Sequence, residues 1–182
     1  MKLQVRYANH PEDSKHYTTK ELRKHYLMET VFEADEILLV YSHQDRIVSG
    51  GIMPVNKALP LETSDELRAK YFLERRELGI INIGGAGKVT LDGKVYDVKP
   101  RDGMYVGMGT VEVVFESVYP QNPAKFYISS CPAHTTYPTY YIDFEKANHR
   151  PTGEAKTLNK RVINQYIHPD VCKSCQLAMG MT

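Results

Sequence analysis

A chain of 182 residues is long enough for one well-buried domain, or for one domain and part of another. Hydrophobic residues at 42% and charged residues at 25% are ordinary for a globular protein, and 23 basic against 22 acidic residues leave a formal charge of +1, so no long-range field directs the chain to nucleic acid or to an anionic membrane. The apolar runs are too short to span a bilayer, the N-terminal residues lack the apolar core of a signal peptide, and three cysteines make no disulfide framework; a cytoplasmic protein is expected.

The first helical signal is TTKELRKHYLMETVF, where Thr18 and Glu21 have capping-box spacing and Leu22, Tyr26 and Leu27 form an apolar stripe. Short strands rich in β-branched and aromatic residues follow at Ile37 to Tyr41 and at Ile47 and Val48. ETSDELRAKYF repeats the capping-box spacing with Thr63 and Glu66 and predicts about two helical turns. Strands then recur at 78–83, 89–91, 95–98, 104–108, 111–115 and 126–129, separated by Gly, Pro or Asp. NHRPTG, Asn148 to Gly153, reads as a connector. The pattern predicts a mainly β barrel or sandwich with one or two short helices near the N-terminus.

The glycines of IINIGGAGKVTLDG, Ile80 to Gly93, raise the question of a phosphate loop. Gly79 and Gly84 have the first spacing of G-x-x-x-x-G-K-[ST], but Gly85 stands at the lysine position and Val89 follows Lys88. A dinucleotide G-x-G-x-x-G fails because Thr90 occupies its last place. A helix should follow either motif, whereas VTLDGKVYDV alternates around Asp92-Gly93, a strong hairpin signal. The glycines therefore predict a tight strand-to-strand corner.

Together with the next two strands, this region resembles the two motifs of a cupin, a double-stranded β-helix barrel. Glu77 and Gly84 match the second half of the first motif, but its histidine positions fall near Lys70 to Leu73. In the second motif, Arg101-Asp102 replaces glycine-aspartate and Glu112 stands where a histidine would be. Two carboxylates without imidazole make a poor transition-metal site, so the resemblance is to a cupin that carries no metal.

Longer segments are similar to something more specific. VFEADEILLVYSHQDRIVSGGIMP, YFLERRELGIINIGGAGKVTLDG, PAKFYISSCPAHTTYPT and NKRVINQYIHPDVCKSCQLAMGMT resemble the 5-keto-4-deoxyuronate isomerase family, also called 4-deoxy-L-threo-5-hexosulose-uronate ketol-isomerases. The resemblance implies a ketol-isomerase interconverting 5-dehydro-4-deoxy-D-glucuronate and 3-deoxy-D-glycero-2,5-hexodiulosonate in pectin and uronate catabolism. It implies a two-cupin, zinc-bound chain in homohexamers, with a deoxy-keto-uronate as substrate and neither nucleic acid nor membrane as partner. The family's zinc ligands, three histidines and a glutamate, lie in the second cupin and would fall beyond Thr182, so no metal is expected in this chain. Residues 1–150 are expected to form the N-terminal metal-free cupin-like barrel with an N-terminal arm. Residues 151–182 are expected to be the crossover and first strands of a second cupin that is truncated, a reading encouraged by the apolar, uncapped CQLAMGMT. Such a fragment is expected to be inactive alone. The alternatives are a non-catalytic sugar-acid-binding cupin or an oligomerisation module.

The resemblance supplies no catalytic residue within this chain; the substrate-proximal candidates are His43, Arg46, Glu74, Arg76 and His134. His43 and Arg46 sit beside a Gly-Gly pair, in a loop that either faces substrate or merely bonds itself. On an alternating strand Glu74 and Arg76 face one way and Arg75 and Glu77 the other; a charged pair in a barrel mouth suits a uronate, and cross-strand ion pairing is the commoner use. His134 follows Cys131 in C-x-x-H spacing, without two further metal ligands in view. Cys172 and Cys175 form a lone C-x-x-C and read as ordinary thiols. Tyr137, Tyr140 and Tyr141 are candidates for an interface or for sugar stacking.

Overall fold

The computed structural model describes residues 1–182. Fourteen strands dominate it: β1 (Lys2–Arg6), β2 (Glu36–Ser42), β3 (Val48–Met53), β4 (Leu59–Pro60), β5 (Arg76–Asn82), β6 (Gly87–Leu91), β7 (Lys94–Val98), β8 (Gly103–Val106), β9 (Val113–Ser117), β10 (Phe126–Pro132), β11 (Tyr140–Ile142), β12 (Asn148–Thr152), β13 (Arg161–Ile167) and β14 (Met179–Met181). Two short helices, α1 (Pro11–Ser14) and α2 (Thr19–Tyr26), precede β2.

Strands β3 to β10 make two facing sheets, ordered β3-β10-β5-β8 and β4-β9-β6-β7. Consecutive strands cross between these sheets, apart from the β6–β7 hairpin. That alternation is the eight-stranded jelly roll, or double-stranded β-helix, of cupin-like proteins. β2 and the parallel β1 extend the first sheet at one edge, and β11 extends it at the other. Between the sheets lie 21 buried apolar residues, including Leu78, Ile80, Phe115 and Phe126, with the two phenylalanine rings 5.1 Å apart. Truncating one of these large side chains to alanine costs about 2–5 kcal/mol.

The glycine corner behaves as the sequence predicts. Asp92 and Gly93 both take positive φ (46° and 82°), as a two-residue hairpin requires, and join β6 to β7. A Cβ on Gly85 would lie 1.9 Å from the Asn122 carbonyl oxygen, so backbone approach excludes any larger residue. The corner is braced by fully buried Asn82, whose Nδ2 donates to the carbonyls of Gly85 (2.7 Å) and Val98 (3.0 Å). Its Oδ1 accepts from the N–H groups of Gly84 (3.1 Å) and Lys125 (3.2 Å), so one side chain bonds two donors and two acceptors.

The capping box at Thr18 and Glu21 forms and starts α2. Its apolar stripe does not enter the core: Leu22, Tyr26 and Leu27 remain exposed. The helix is instead held by its end, where Arg6 of β1 donates to the carbonyls of His25 (3.4 Å) and Leu27 (2.7 Å). The second helical expectation is corrected. Asp65–Leu67 is a single 3₁₀ turn, its preceding Ser64 makes no cap bond, and Thr63 Oγ1 is buried without a partner. A left-handed Arg68 (φ 50°) ends it after one turn.

NHRPTG is likewise corrected from connector to strand β12. Pro151 is tolerated because β12 is the edge of a three-stranded sheet ordered β12-β13-β14. That sheet covers the outer face of β5 and β8, burying Ile81, Tyr105, Tyr166, Ile167, Leu177 and Met179 in a second cluster. No helix of the chain is long and apolar enough to cross a membrane.

Candidate functional site

β5 traverses the barrel with Arg76 at one end and Asn82 at the other, and its alternation decides where each side chain goes. Arg76, Leu78 and Ile80 turn inward, whereas Glu77, Gly79 and Ile81 turn outward, to the second cluster. Glu74 and Arg75 precede the strand, so the expected alternation holds only from Arg76 onward.

Arg76 is 7% exposed and has no carboxylate partner. Its Nε donates to Ser130 Oγ (3.0 Å), and Nη2 to the carbonyls of Ser130 (2.7 Å) and Arg46 (2.7 Å). The Tyr41 ring centroid lies 6.0 Å from the guanidinium carbon, the outer limit of a cation–π contact. Burial pushes its pKa down to about 10, which keeps it charged at neutral pH. The Arg46 carbonyl is delivered by the β2–β3 hairpin, whose tip is closed by two successive left-handed residues, Asp45 (φ 54°) and Arg46 (φ 51°). Those two residues make the turn; Gly50 and Gly51 lie within β3, where the Leu38 carbonyl oxygen comes within 2.0 Å of a Cβ built on Gly50.

Arg46 and Arg76 are thus brought together, at the mouth of the barrel. They share a cavity of about 270 Å³ with Tyr41, Arg68, Arg75 and Pro132. His43 is adjacent rather than in it: its exposed ring is stacked on Tyr7 (4.6 Å) and meets the ring of Tyr41 at 5.1 Å. Glu74 is not part of the group; its carboxylate accepts the Lys70 N–H (2.8 Å) over a neighbouring depression. His134 is exposed in the loop after β10, and its ring makes no hydrogen bond. A larger groove, about 990 Å³, lies between α2 and β1–β2; Arg23 pairs there with Glu29 (2.6 Å) and Lys2 with Glu33 (3.0 Å), and Arg6, Lys20 and Lys24 line it without a carboxylate partner.

Glu77 has the role that the sequence did not show. Its Oε2 accepts Tyr105 O–H (2.8 Å) and Cys175 N–H (2.7 Å), and its Oε1 accepts the N–H groups of Gln176 (2.8 Å) and Leu177 (2.7 Å). A single carboxylate thereby latches the segment before β14 to the outside of the barrel. Burial, followed by the bond to Glu77, raises the Tyr105 pKa above the ordinary tyrosine range. The signal in the sequence was only position: the outward side of a strand buried on both faces.

The residues here do not fit a zinc centre. Glu77 has committed its lone-pair positions to four donors and faces away from the barrel interior. Cys172 and Cys175 are free thiols; the Cys175 thiol donates to the Thr135 carbonyl (3.3 Å), and burial raises the Cys172 pKa. No three His, Cys, Asp or Glu side chains converge as a ligand set.

The fold and this mouth define a cupin-type jelly-roll module with a cationic opening and a carboxylate-latched outer sheet. The chain belongs to the KduI/IolB family, whose description matches residues 26–182. It is similar to the 4-deoxy-L-threo-5-hexosulose-uronate ketol-isomerase of Lachnoclostridium phytofermentans, at 53% identity over 99% of this chain and 65% of that protein. The second such enzyme of Enterococcus faecalis is 50% identical over 99% of this chain and 65% of its own length. The enzyme of Escherichia coli O45:K1 is 50% identical over 99% and 66%. The chain therefore spans about 65% of the length of the first two relatives. Among solved structures, an IolB-like protein from Salmonella typhimurium LT2 has the same fold, with TM-score 0.55 at 11% identity over 70% of this chain and 47% of that one.

Proposed function

We propose that these residues are the N-terminal part of a ketol-isomerase that interconverts 5-dehydro-4-deoxy-D-glucuronate and 3-deoxy-D-glycero-2,5-hexodiulosonate in uronate and pectin catabolism. The observation that carries this reading is identity near one half over 99% of the chain to proteins named for that activity. The assembled enzyme is read as a cytoplasmic homohexamer that works on a sugar acid and engages neither nucleic acid nor membrane. Its zinc, which would polarise the substrate carbonyl, is read as held outside these residues, because no three suitable donors converge among them.

In this reading residues 1–150 serve as a structural barrel, and residues 151–182 lead toward the part of the relatives that this chain does not span. The isomerisation moves a proton between carbons next to a carbonyl, through an enediol, and needs a base within reach of that carbon. The inward face of the barrel offers none, since its interior is filled by apolar side chains. Catalysis by the 182 residues alone is accordingly not expected.

The test is a chimera that joins residues 1–182 to the remaining third of the Lachnoclostridium phytofermentans enzyme, assayed beside the 182-residue chain. The chimera should convert the hexosulose-uronate by proton NMR and the chain alone should not. A folded, zinc-loaded chimera that leaves the substrate unchanged would overturn the reading.

A further inference from the structure

The barrel mouth gathers four arginines, Arg46, Arg68, Arg75 and Arg76, around a small cavity that no carboxylate lines. The acids next to them in sequence are turned elsewhere. Glu74 bonds the Lys70 N–H over a neighbouring depression that it lines with Asp65 and the outer sides of Arg68 and Arg75, Asp45 lines a different cavity with Cys131, and Glu77 is on the other face of the sheet. Confined like charges repel one another, and a buried cation without a counter-ion is costly to keep.

Arg76 is the fixed element of this group. With Nε and Nη2 committed to Ser130 and Arg46, its guanidinium plane is locked, while the two N–H bonds of Nη1 meet no protein acceptor. A locked guanidinium edge with a free nitrogen is suited to an incoming oxyanion, and the exposed Arg46 and Arg68 can close around it, while Arg75 adds charge from a side chain whose Nη2 donates to the Leu67 and Arg68 carbonyls. The cavity also has apolar walls, from Tyr41, Leu67 and Pro132, which an inorganic anion would leave uncovered and a carbon skeleton would contact. Its volume is at the small end for ligand sites.

We propose that this cavity is an anion-binding site that takes the carboxylate of a small organic acid, up to the size of a hexuronate, with Arg76 as its fixed donor. The site stands on this geometry alone and is independent of the isomerase reading; its test measures binding, so either can fail without the other.

The experiment is isothermal titration of the 182-residue chain at low salt with D-glucuronate, D-glucose and inorganic phosphate. Glucuronate should bind, glucose should not, and phosphate should bind several-fold more weakly. Arg76→Gln should abolish the glucuronate heat. Because that change lies in the core, Arg46→Gln and Arg68→Gln serve as exposed companions, each weakening glucuronate about tenfold with the melting temperature unchanged. Arg46→Gln retains the backbone carbonyl that holds Arg76. Absence of glucuronate binding, equal binding of glucose, or companion variants that bind like the unaltered chain would each overturn the site. Phosphate binding as tightly as glucuronate would overturn its assignment to organic acids.

Discussion

Arg76 and Glu77 are neighbours on β5, both buried and both ionisable, yet they are treated in opposite ways. On the outer face, Glu77 accepts four hydrogen bonds, three of them from consecutive backbone N–H groups, and is used up by the fold. On the inner face, Arg76 is anchored by carbonyls and a hydroxyl but keeps one nitrogen free beside three further arginines. The difference separates two uses of a buried polar group. A saturated one holds elements together; an unsaturated one, held rigid at a cavity, is ready for a ligand.

Glu77→Ala tests the first half of that contrast and should have the largest effect. It leaves three backbone N–H groups and the Tyr105 hydroxyl without their acceptor, a loss of about 4 kcal/mol. For a domain of this size the melting temperature should fall by roughly 10 °C. Residues 161–181 should also lose hydrogen-exchange protection before the barrel does. A shift below about 2 °C would mean that the latch is replaced by water or by Gln176.

Gly79→Ala attacks the same face by volume rather than by charge. A Cβ there would lie 2.1 Å from Met179 Sδ, 2.6 Å from Ile167 Cδ1 and 2.9 Å from Leu177 Cδ2. These are side-chain ends that can move, so the expected cost is about 1–3 kcal/mol. Combined with Glu77→Ala the losses should be less than additive by denaturant titration, because both loosen the same sheet.

Arg76→Met asks whether the inner charge serves the fold. Burial lowers its pKa, and the sign follows: a cation that is harder to protonate in the folded state than in the unfolded one opposes folding below about pH 10, and that opposition fades as pH rises through that value. Removing the charge relieves the burial penalty while leaving two carbonyls and the Ser130 hydroxyl short of a donor. The net change should stay within about 1 kcal/mol of zero. A loss as large as that of Glu77→Ala would erase the distinction between the two faces.

The contrast also marks how far the sequence could be read. The Asp92-Gly93 hairpin and the Thr18 capping box were legible because each rests on a few consecutive residues whose local geometry is its own cause. The glycine corner was legible as a corner, but Asn82, which braces it, was not: two of its partners, Val98 and Lys125, are distant in sequence. Thr63 and Glu66 had the same spacing as Thr18 and Glu21 but yielded one 3₁₀ turn, since spacing permits a cap and packing decides it. At the site, Arg46 and Arg76 were legible as candidates, while Arg68 and Arg75 entered only through the turn that folds them over the mouth. His134 and Glu74 drew attention by residue type, and their surroundings give them no shared task. Glu77 was visible as one letter of a cupin motif, and its real partners lie about one hundred residues away.

Asp35 sharpens the comparison from the surface and should show the smallest effect. Like Glu77 it is a carboxylate satisfied by backbone donors, here Asn56 N–H (2.7 Å) and Val55 N–H (2.8 Å), with Asn56 Nδ2 added at 2.7 Å. Unlike Glu77 it stands at a solvent-facing turn. The Asn56 backbone bond, then the Asn56 side chain and the Val55 N–H, hold its pKa down to about 2. An unfolded aspartate titrates near 4, roughly 2 pH units higher. A carboxyl lowered on folding contributes stability that is fully present above the unfolded value and is lost as pH falls through the folded one. The melting temperature of the unaltered chain should therefore drop more steeply than that of Asp35→Asn between about pH 5 and about pH 2, the two curves converging at the acid end. Parallel curves across that window would show that the Asp35 bonds are exchanged for water at no cost, so that saturation matters only where, as at Glu77, solvent is excluded.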